Sequence, residues 1–369
     1  MKDRSFRIGP IRPPSEAYSL LLQVTNGCTW NRCRFCRLYR HTKFRAYSAD
    51  SIRADIDNIA YWADRVNRYK TGKGWDIDGI NRELGALADD DERQSMYTTA
   101  NWLISGGENV FLQDGNTTAL SSGRLTDVLK YLRETFPHIK RITSYGRAEN
   151  LARSTAEEYA ELKAAGLDRI HSGYESGSDA VLKRINKGVT QEQQIKAGKA
   201  VRAGGIELSI YFMPGVGGKD LSEDNAIGTA KVINEVEPDF VRVRTAAIKP
   251  GTELYDDWRS GQFELCSDDD KVREIRRIIE LAGEGIGTRI VSDHMINLLQ
   301  DVEGGMWEDK SHLLRIIDDY LDMPEEERRK FQLARRSYGS AGREQMESVM
   351  NYPQARWDIM MNEYICRYV

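Results

Sequence analysis

Short apolar runs alternate along the chain with stretches in which apolar residues recur every three or four positions. "SLLLQVT" (residues 19–25) reads as a buried strand. A helix follows from about Ser48 to Tyr69, capped by Ser48, with Ile52, Ile56, Ile59 and Ala60 on one face. "KTGKGWDIDG" reads as a polar loop, and a second helix through "MYTTANWLI" stops at Gly106-Gly107, which have the look of C-cap glycines. "NVFLQD" (109–114) is the next strand and "RLTDVLKYLRETF" the next helix. "RITSYG", "DRIHSGYE", "ELSIYFMPG" and "FVRVRTAAI" supply further strands, separated by the amphipathic segments "TAEEYAELKAAG", "TQEQQIKAGKAVRAGG" and "SEDNAIGTAKVINEV".

This alternation predicts an α/β fold, a partial (β/α)6 TIM-like barrel with a helical C-terminal extension. The expected division is an N-terminal extension over 1–18, the barrel over 19–266 and a mostly helical region over 267–369 packed on it. Beyond Ser267 one more strand is expected at "GTRIVSD", and the charged segment Pro324 to Val369 reads as helical. In such a fold the chemistry sits on loops after the carboxyl ends of the strands. Those loops are Asn26–Cys36, Asp114–Asn116, Ser144–Arg147, Glu175–Ser178, Pro214–Gly218 and Ala247–Thr252.

Composition narrows the function. A length of 369 residues, 40% hydrophobic and 30% charged, describes a soluble chain with an ample core. A net charge of −4, with both signs interspersed, gives no basic field for nucleic acid or an anionic membrane. The start "MKDRSFRIGPIRPPSEAY" has no apolar signal-like region and no run reaches membrane-span length, so a cytoplasmic location is expected.

The cysteines change the picture most. Three of five, Cys28, Cys33 and Cys36, fall in the first predicted loop as C-x4-C-x2-C, with His41 five residues beyond. An odd set of three points to a metal rather than a disulfide or a redox pair. A zinc ion would take all three thiolates and His41 as a closed tetrahedral shell, making the protein a zinc-stabilised binding or scaffold protein. An iron–sulfur cluster would take the three thiolates alone and leave one iron open. Zinc poorly explains ligands placed where barrel enzymes keep their active site. Cys266 and Cys366, far apart in sequence, read as ordinary thiols.

"GCTWNRCRFC", with "DGN", "SYGRA", "ESGSDAVLKRINKG", "MPGVGG" and "KPGTELY" at the strand ends, resembles the radical S-adenosylmethionine (radical SAM) superfamily over roughly residues 18 to 320. The nearest branch is the compact, elongator-like one. The superfamily's usual spacing has three residues in the first gap where this chain has four, and Phe35 before the last cysteine fits its pattern. The resemblance implies a [4Fe-4S] cluster on Cys28, Cys33 and Cys36, with S-adenosylmethionine chelating the open iron. It also implies reductive cleavage to a 5′-deoxyadenosyl radical, hydrogen abstraction from a substrate, and an external one-electron donor of flavodoxin or ferredoxin type.

The same resemblance suggests the cofactor contacts. Superfamily members carry G-G-E to receive the methionine ammonium, and "SGGEN" contains Glu108, but it precedes its strand. Asp114, Gly115 and Asn116 leave that strand and are preferred. Glu175 resembles the acid that holds the ribose, its plain reading being a carboxylate facing a helix dipole. Tyr145 and Arg147 are placed to reach the methionine carboxylate. Met213 and Gly215 of "MPGVGG" would admit adenine close to the backbone. His294, Lys187 and Trp30 have bland structural readings beside functional ones, and Arg242 and Arg244 alternate on one strand where both could bind an acidic substrate. With no second cysteine cluster and an acidic balance, a small-molecule substrate is expected.

Overall fold

The computed structural model describes residues 3–337 and 349–367. The chain forms two compact units: Met1–Thr29, His41–His171 and Ala203–Glu207 make the first, and Trp30–Arg40, Ser172–Arg202 and Leu208–Val369 the second.

In the first unit three consecutive leucines form strand β1 (Leu20–Gln23), buried throughout. It pairs in parallel with β2 (Asn109–Gln113), Leu20 opposite Val110 and Gln23 opposite Gln113. β2 pairs in parallel with β3 (Arg141–Tyr145), and β3 with the start of β4 (Arg169–Glu175). Near-continuous apolar runs such as Val110-Phe111-Leu112 suit parallel strands covered on both faces. The helix Ala49–Asn67 starts where Ser48 accepts from the Ser51 N–H, and buries Ile52, Ile56, Ile59, Trp62 and Val66. It packs on the helices Asp90–Ile104 and Ser122–Thr135. The helix Asp90–Ile104 ends as expected before Gly106 and Gly107, whose φ values of 108° and 70° are left-handed.

This unit also buries Glu16, which the N-terminal segment delivers among β-strand residues. Its carboxylate accepts from Ser19 Oγ at 2.6 Å and lies 3.3 Å from Arg141 Nη2 and 3.4 Å from His171 Nε2. Burial alone would raise this carboxyl; His171, Ser19 and Arg141 hold it below its ordinary value.

In the second unit the sheet order is β4, β5 (Glu207–Phe212), β6 (Phe240–Val243), β7 (Arg289–Val291) and β8 (Glu303–Gly305). β5, β6 and β7 pair in parallel, and β8 runs antiparallel to β7. The helices Gln191–Ala203, Ser222–Val236 and Asp268–Glu280 fall where amphipathic segments were read or after them. Ser267 and Asp270 close a capping box at the start of the last of these.

Three details depart from the sequence reading. "KTGKGWDIDG" is not all loop: Lys70–Thr71 pairs with Gly74–Trp75, and a helix starts at Ile77 after its Asp76 cap. β6 stops at Val243 rather than running through "TAAI", because the Thr245 N–H and Oγ1 both donate to Asn297 Oδ1 at 2.9 Å instead of to a neighbouring strand. β8 is an extra strand that two glycines and a glutamate do not announce. The helix Ser222–Val236 ends on Glu237, whose φ is 47°. The C-terminal region holds the helices Glu325–Ser337 and Gln354–Cys366, while residues 338–348 and 368–369 of the expected extension lie outside the described residues. Among the described residues no helix is long and apolar enough to cross a membrane.

Candidate functional site

The first unit gathers Cys28, Asp114, Gly115, Asn116, Tyr145 and Arg147, all on loops at the carboxyl ends of β1, β2 and β3 or closing them. Asn116, fully buried, ties these loops together. Its Nδ2 donates to Thr29 Oγ1 at 2.9 Å and Asn150 Oδ1 at 2.7 Å, and its Oδ1 accepts from the Arg147 N–H and Thr118 Oγ1, both at 3.1 Å. Both ends of the amide are thus engaged within the protein. Asp114 is fully buried after β2, its N–H donating to Thr25 Oγ1 at 3.2 Å. Gly9 leaves room for it, since a Cβ there would lie 3.1 Å from Asp114 Cγ. Arg147 is 8% exposed, and its Nη1 stands 3.7 Å from Cys28 Sγ. The Tyr145 ring packs edge-on against Phe111 at 5.1 Å and His171 at 6.0 Å.

The second unit gathers Cys33, Cys36, Phe35, Glu175, Met213 and Gly215. The cysteine loop is fastened to the turn Ile185–Gly188. Arg34 N–H donates to Ile185 O at 2.9 Å, Trp30 Nε1 to Asn186 O at 2.7 Å, and Asn186 Nδ2 to Arg32 O at 3.0 Å. Gly188, with φ of 71°, lies flat under Trp30, where an added Cβ would come within 2.5 Å of the indole. Arg40 braces the other end: Nε donates to Cys36 O at 3.0 Å, Nη2 to Cys33 O at 3.2 Å, and Nη1 pairs with Glu253 at 2.6 Å. Trp30 and Lys187 therefore have structural partners that no local pattern in the sequence announces.

Lys187, two residues past the C-cap of the helix Asp179–Arg184, pairs with an acid. Its Nζ lies 2.8 Å from Glu175 Oε1, both side chains nearly buried, and 5.8 Å from the Phe35 ring centre. Glu175 ends β4 with a left-handed φ of 64°, and its carbonyl accepts the Met213 N–H at 2.8 Å. Phe35 and Met213 share one apolar cluster with Val181, Ile185, Val216 and Ile248. Gly215 has φ of 82°, and its bare Cα is covered by Lys271 and Cys266, whose atoms would stand 3.0 and 3.4 Å from a Cβ. Its N–H donates to buried Glu274 at 2.9 Å, and Ser222 and Asn225 donate to the same carboxyl at 2.7 Å. Burial nonetheless pushes that carboxyl up to about 7.

Other residues singled out from sequence separate cleanly. Glu108 stands before β2 and pairs at the surface with Lys140 at 2.6 Å. Arg242 is 7% exposed and pairs with Asp293 at 3.3 Å, the bland alternative for a buried arginine. His294 is held down to about 4 by burial and by Arg244, against the pull of Asp293. A cavity of about 450 Å³ beside the cysteine loop is lined by Trp30, Leu182, Asn186, Gly188 and Val189. A larger one of about 550 Å³, lined by Asp269, Arg328, Trp357 and Asp358, contains none of the residues expected to act.

Among the described residues no group of three or more His, Cys, Asp or Glu side chains is gathered as one metal ion requires. The donor set itself, three soft thiols on a braced loop, fits an iron–sulfur cluster. Parallel strands with a three-thiol loop after the first of them define a class of α/β iron–sulfur enzymes. The signature of the Radical SAM superfamily matches residues 22–227, more than half of the chain. The chain belongs to that superfamily, whose members bind a [4Fe-4S] cluster and S-adenosylmethionine, and it is a radical SAM enzyme.

Three curated relatives give the range of similarity. The tRNA uridine(34) acetyltransferase of Methanocaldococcus infernus is 27% identical over 120 residues, 32% of this chain and 22% of that protein. The 4′-phospho-dehydrooxetanocin synthase of Priestia megaterium is 28% identical over 196 residues, 53% of this chain and 23% of that protein. The tRNA-2-methylthio-N(6)-dimethylallyladenosine synthase of Chlorobium phaeobacteroides is 24% identical over 282 residues, 74% of this chain and 52% of that protein. The chain therefore spans between about a fifth and a half of these relatives' lengths.

Proposed function

We propose that this enzyme abstracts hydrogen from a small organic substrate, with Cys28, Cys33 and Cys36 holding the cluster. One observation carries the reading: three cysteines spaced C-x4-C-x2-C in the loop after β1 of a radical SAM chain. When bound, the cluster and S-adenosylmethionine supply reductive cleavage to methionine and a 5′-deoxyadenosyl radical. The protein's part is to bind, orient and exclude water. Asp114, buried at the carboxyl end of β2, receives the methionine ammonium, with Gly115 and Asn116 offering backbone carbonyls. Arg147, beside the Cys28 thiol, and Tyr145 serve the methionine carboxylate. Glu175, held by Lys187, takes the ribose hydroxyls, and Phe35, Met213 and Gly215 line the adenine side. An external one-electron donor of flavodoxin or ferredoxin type completes the cycle, and cysteines kept for a metal suit a reducing cytoplasm.

The test needs no known substrate. Given dithionite and S-adenosylmethionine, the anaerobic enzyme is expected to release 5′-deoxyadenosine and methionine slowly. S-adenosylhomocysteine alone, or methylthioadenosine, would show that a different bond breaks and would defeat the reading. A second reading, tRNA as substrate, is favoured by the names of two relatives. The net charge of −4 weighs against it, since nucleic-acid affinity rests largely on cationic contacts to phosphate. Retention of total tRNA on the enzyme at about 0.15 M salt would restore it.

The choice of Asp114 over Glu108 rests on chain direction. Glu108 stands at the amino end of β2 and Asp114 at its carboxyl end, with the five strand residues between them, or roughly 20 Å apart. Asp114→Ala is expected to weaken S-adenosylmethionine binding at least about tenfold, about 1.4 kcal/mol, with the cluster retained. Glu108→Ala loses only a surface pair and is expected to be near neutral. Titration with the cofactor showing the reverse would make "GGE" the ammonium site.

A further inference from the structure

Two cations on the segment that follows β6 stand without an acid partner. Arg244 and Lys249 are both half-buried, and among the described residues neither side chain makes a hydrogen bond or ion pair. Such charges are costly to desolvate, and folded proteins ordinarily pair them, as this one pairs Arg242 with Asp293. Burial, Arg37 and Arg244 push the Lys249 ammonium down against the opposing pull of the Cys366 and Cys36 thiols, and burial and Arg244 lower His294 against Asp293. Arg37 itself donates Nη1 to Pro250 O at 3.1 Å and has no acid partner among the described residues.

The segment carrying these charges is irregular but tightly held, by two asparagines from later in the chain. Asn297, 2% exposed, accepts from Thr245 N–H and Oγ1 at 2.9 Å and donates Nδ2 to Val243 O at 2.8 Å, gripping both neighbours of Arg244. Asn362, 3% exposed, accepts the Ile248 N–H at 3.1 Å and donates to Ile248 O at 2.9 Å, gripping the residue before Lys249. Both amides are used at both ends. A loop of unpaired cations fixed by buried amides is pre-organised for a ligand that supplies the missing charge.

We propose that Arg244 and Lys249, held by the Asn297 and Asn362 amides, bind an oxyanion of the substrate, a phosphate monoester or a carboxylate. This deepens the substrate reading above and rests on it. Two charge-assisted contacts from a partly desolvated pair suit either anion. Arg242, the other candidate on this strand, is committed to Asp293 and takes no part.

The test uses the cluster-reconstituted protein, calorimetric titration at low ionic strength, and two probes, inorganic phosphate and acetate. Saturable binding of phosphate alone is expected for a phosphate ester substrate, and equal binding of acetate for a carboxylate. Arg244→Gln and Lys249→Gln should each weaken the bound probe at least about tenfold. The surface variant Lys199→Gln should leave it unchanged. Neither cation loses a native partner on substitution, and mutual repulsion is relieved, so the thermal midpoints should hold or rise. Absence of saturable binding of either probe would overturn the proposal. So would variants that keep the probe's affinity while losing cluster iron, which would assign these cations to balancing the cluster's charge. If the wild-type protein binds the probe but no iron, the radical SAM assignment of the thiols fails and the anion site stands.

Discussion

Alanine at Cys28, Cys33 or Cys36 is expected to abolish the iron–sulfur cluster outright. The anaerobically reconstituted protein should be brown and carry about four irons and four sulfides, since each thiolate binds one iron and the fourth iron is left to the cofactor. No spare thiol stands ready to take over. Cys266 is 3% exposed, and burial together with Glu274 pushes its thiol far above the range in which a thiolate forms. Cys366 is likewise raised by burial and points at Ile248 O, 3.4 Å away. Cys266→Ala and Cys366→Ala should therefore keep full iron and sulfide. Iron analysis beside the absorption spectrum decides the matter, and full occupancy in any one of the first three variants would remove that cysteine from the ligand set.

Arg336→Ala is expected to cost about 3 kcal/mol of stability, the low end for breaking a buried ion pair because Lys271 stays 3.4 Å from the stranded carboxylate. Asp268 is fully buried at the start of the helix Asp268–Glu280, and the Arg336 guanidinium grips it through Nε at 3.0 Å and Nη2 at 2.7 Å. Burial works to raise that carboxyl, yet Arg336 and Lys271 hold it at about 2. Arg336 also donates to Ile296 O, so one side chain joins three segments of the second unit. The double variant Asp268→Leu/Arg336→Leu removes both charges and should recover most of the loss. Denaturant unfolding of the two single variants and the double closes this cycle, and additive losses would show that the pair does not act as a unit.

The parts of this molecule that rest on local chemistry were readable from its residues. The Ser48 cap, the glycine stop at Gly106 and Gly107, the parallel order of apolar runs and the position of Asp114 beyond β2 all follow from neighbours a few residues apart. What escaped is held across long separations. Lys187 reads as a helix-end lysine until Glu175, on the preceding strand, is placed 2.8 Å away. β6 looks longer than it is because nothing near "TAAI" reveals that Asn297 will claim Thr245. The turn Ile185–Gly188 carries no signal that it will hold the cysteine loop, since hydrogen bonds to backbone carbonyls leave little mark on side-chain type. Arg242 and Arg244 are equivalent by alternation, and only the position of Asp293 tells them apart.

The buried carboxylate of Glu16 sets an order of events on the growing chain. It is made early, whereas His171, one of the groups that hold it, lies 155 residues later. At 5–20 residues per second, roughly 8 to 30 s separate the two during synthesis. Until Arg141 emerges the N-terminal segment has an acid to bury and no base to bury it with, and the set is complete only with His171. The first strand of the sheet is thus not locked before the fourth is made, and a chain released before β4 would leave its Leu20–Leu22 edge open to other chains.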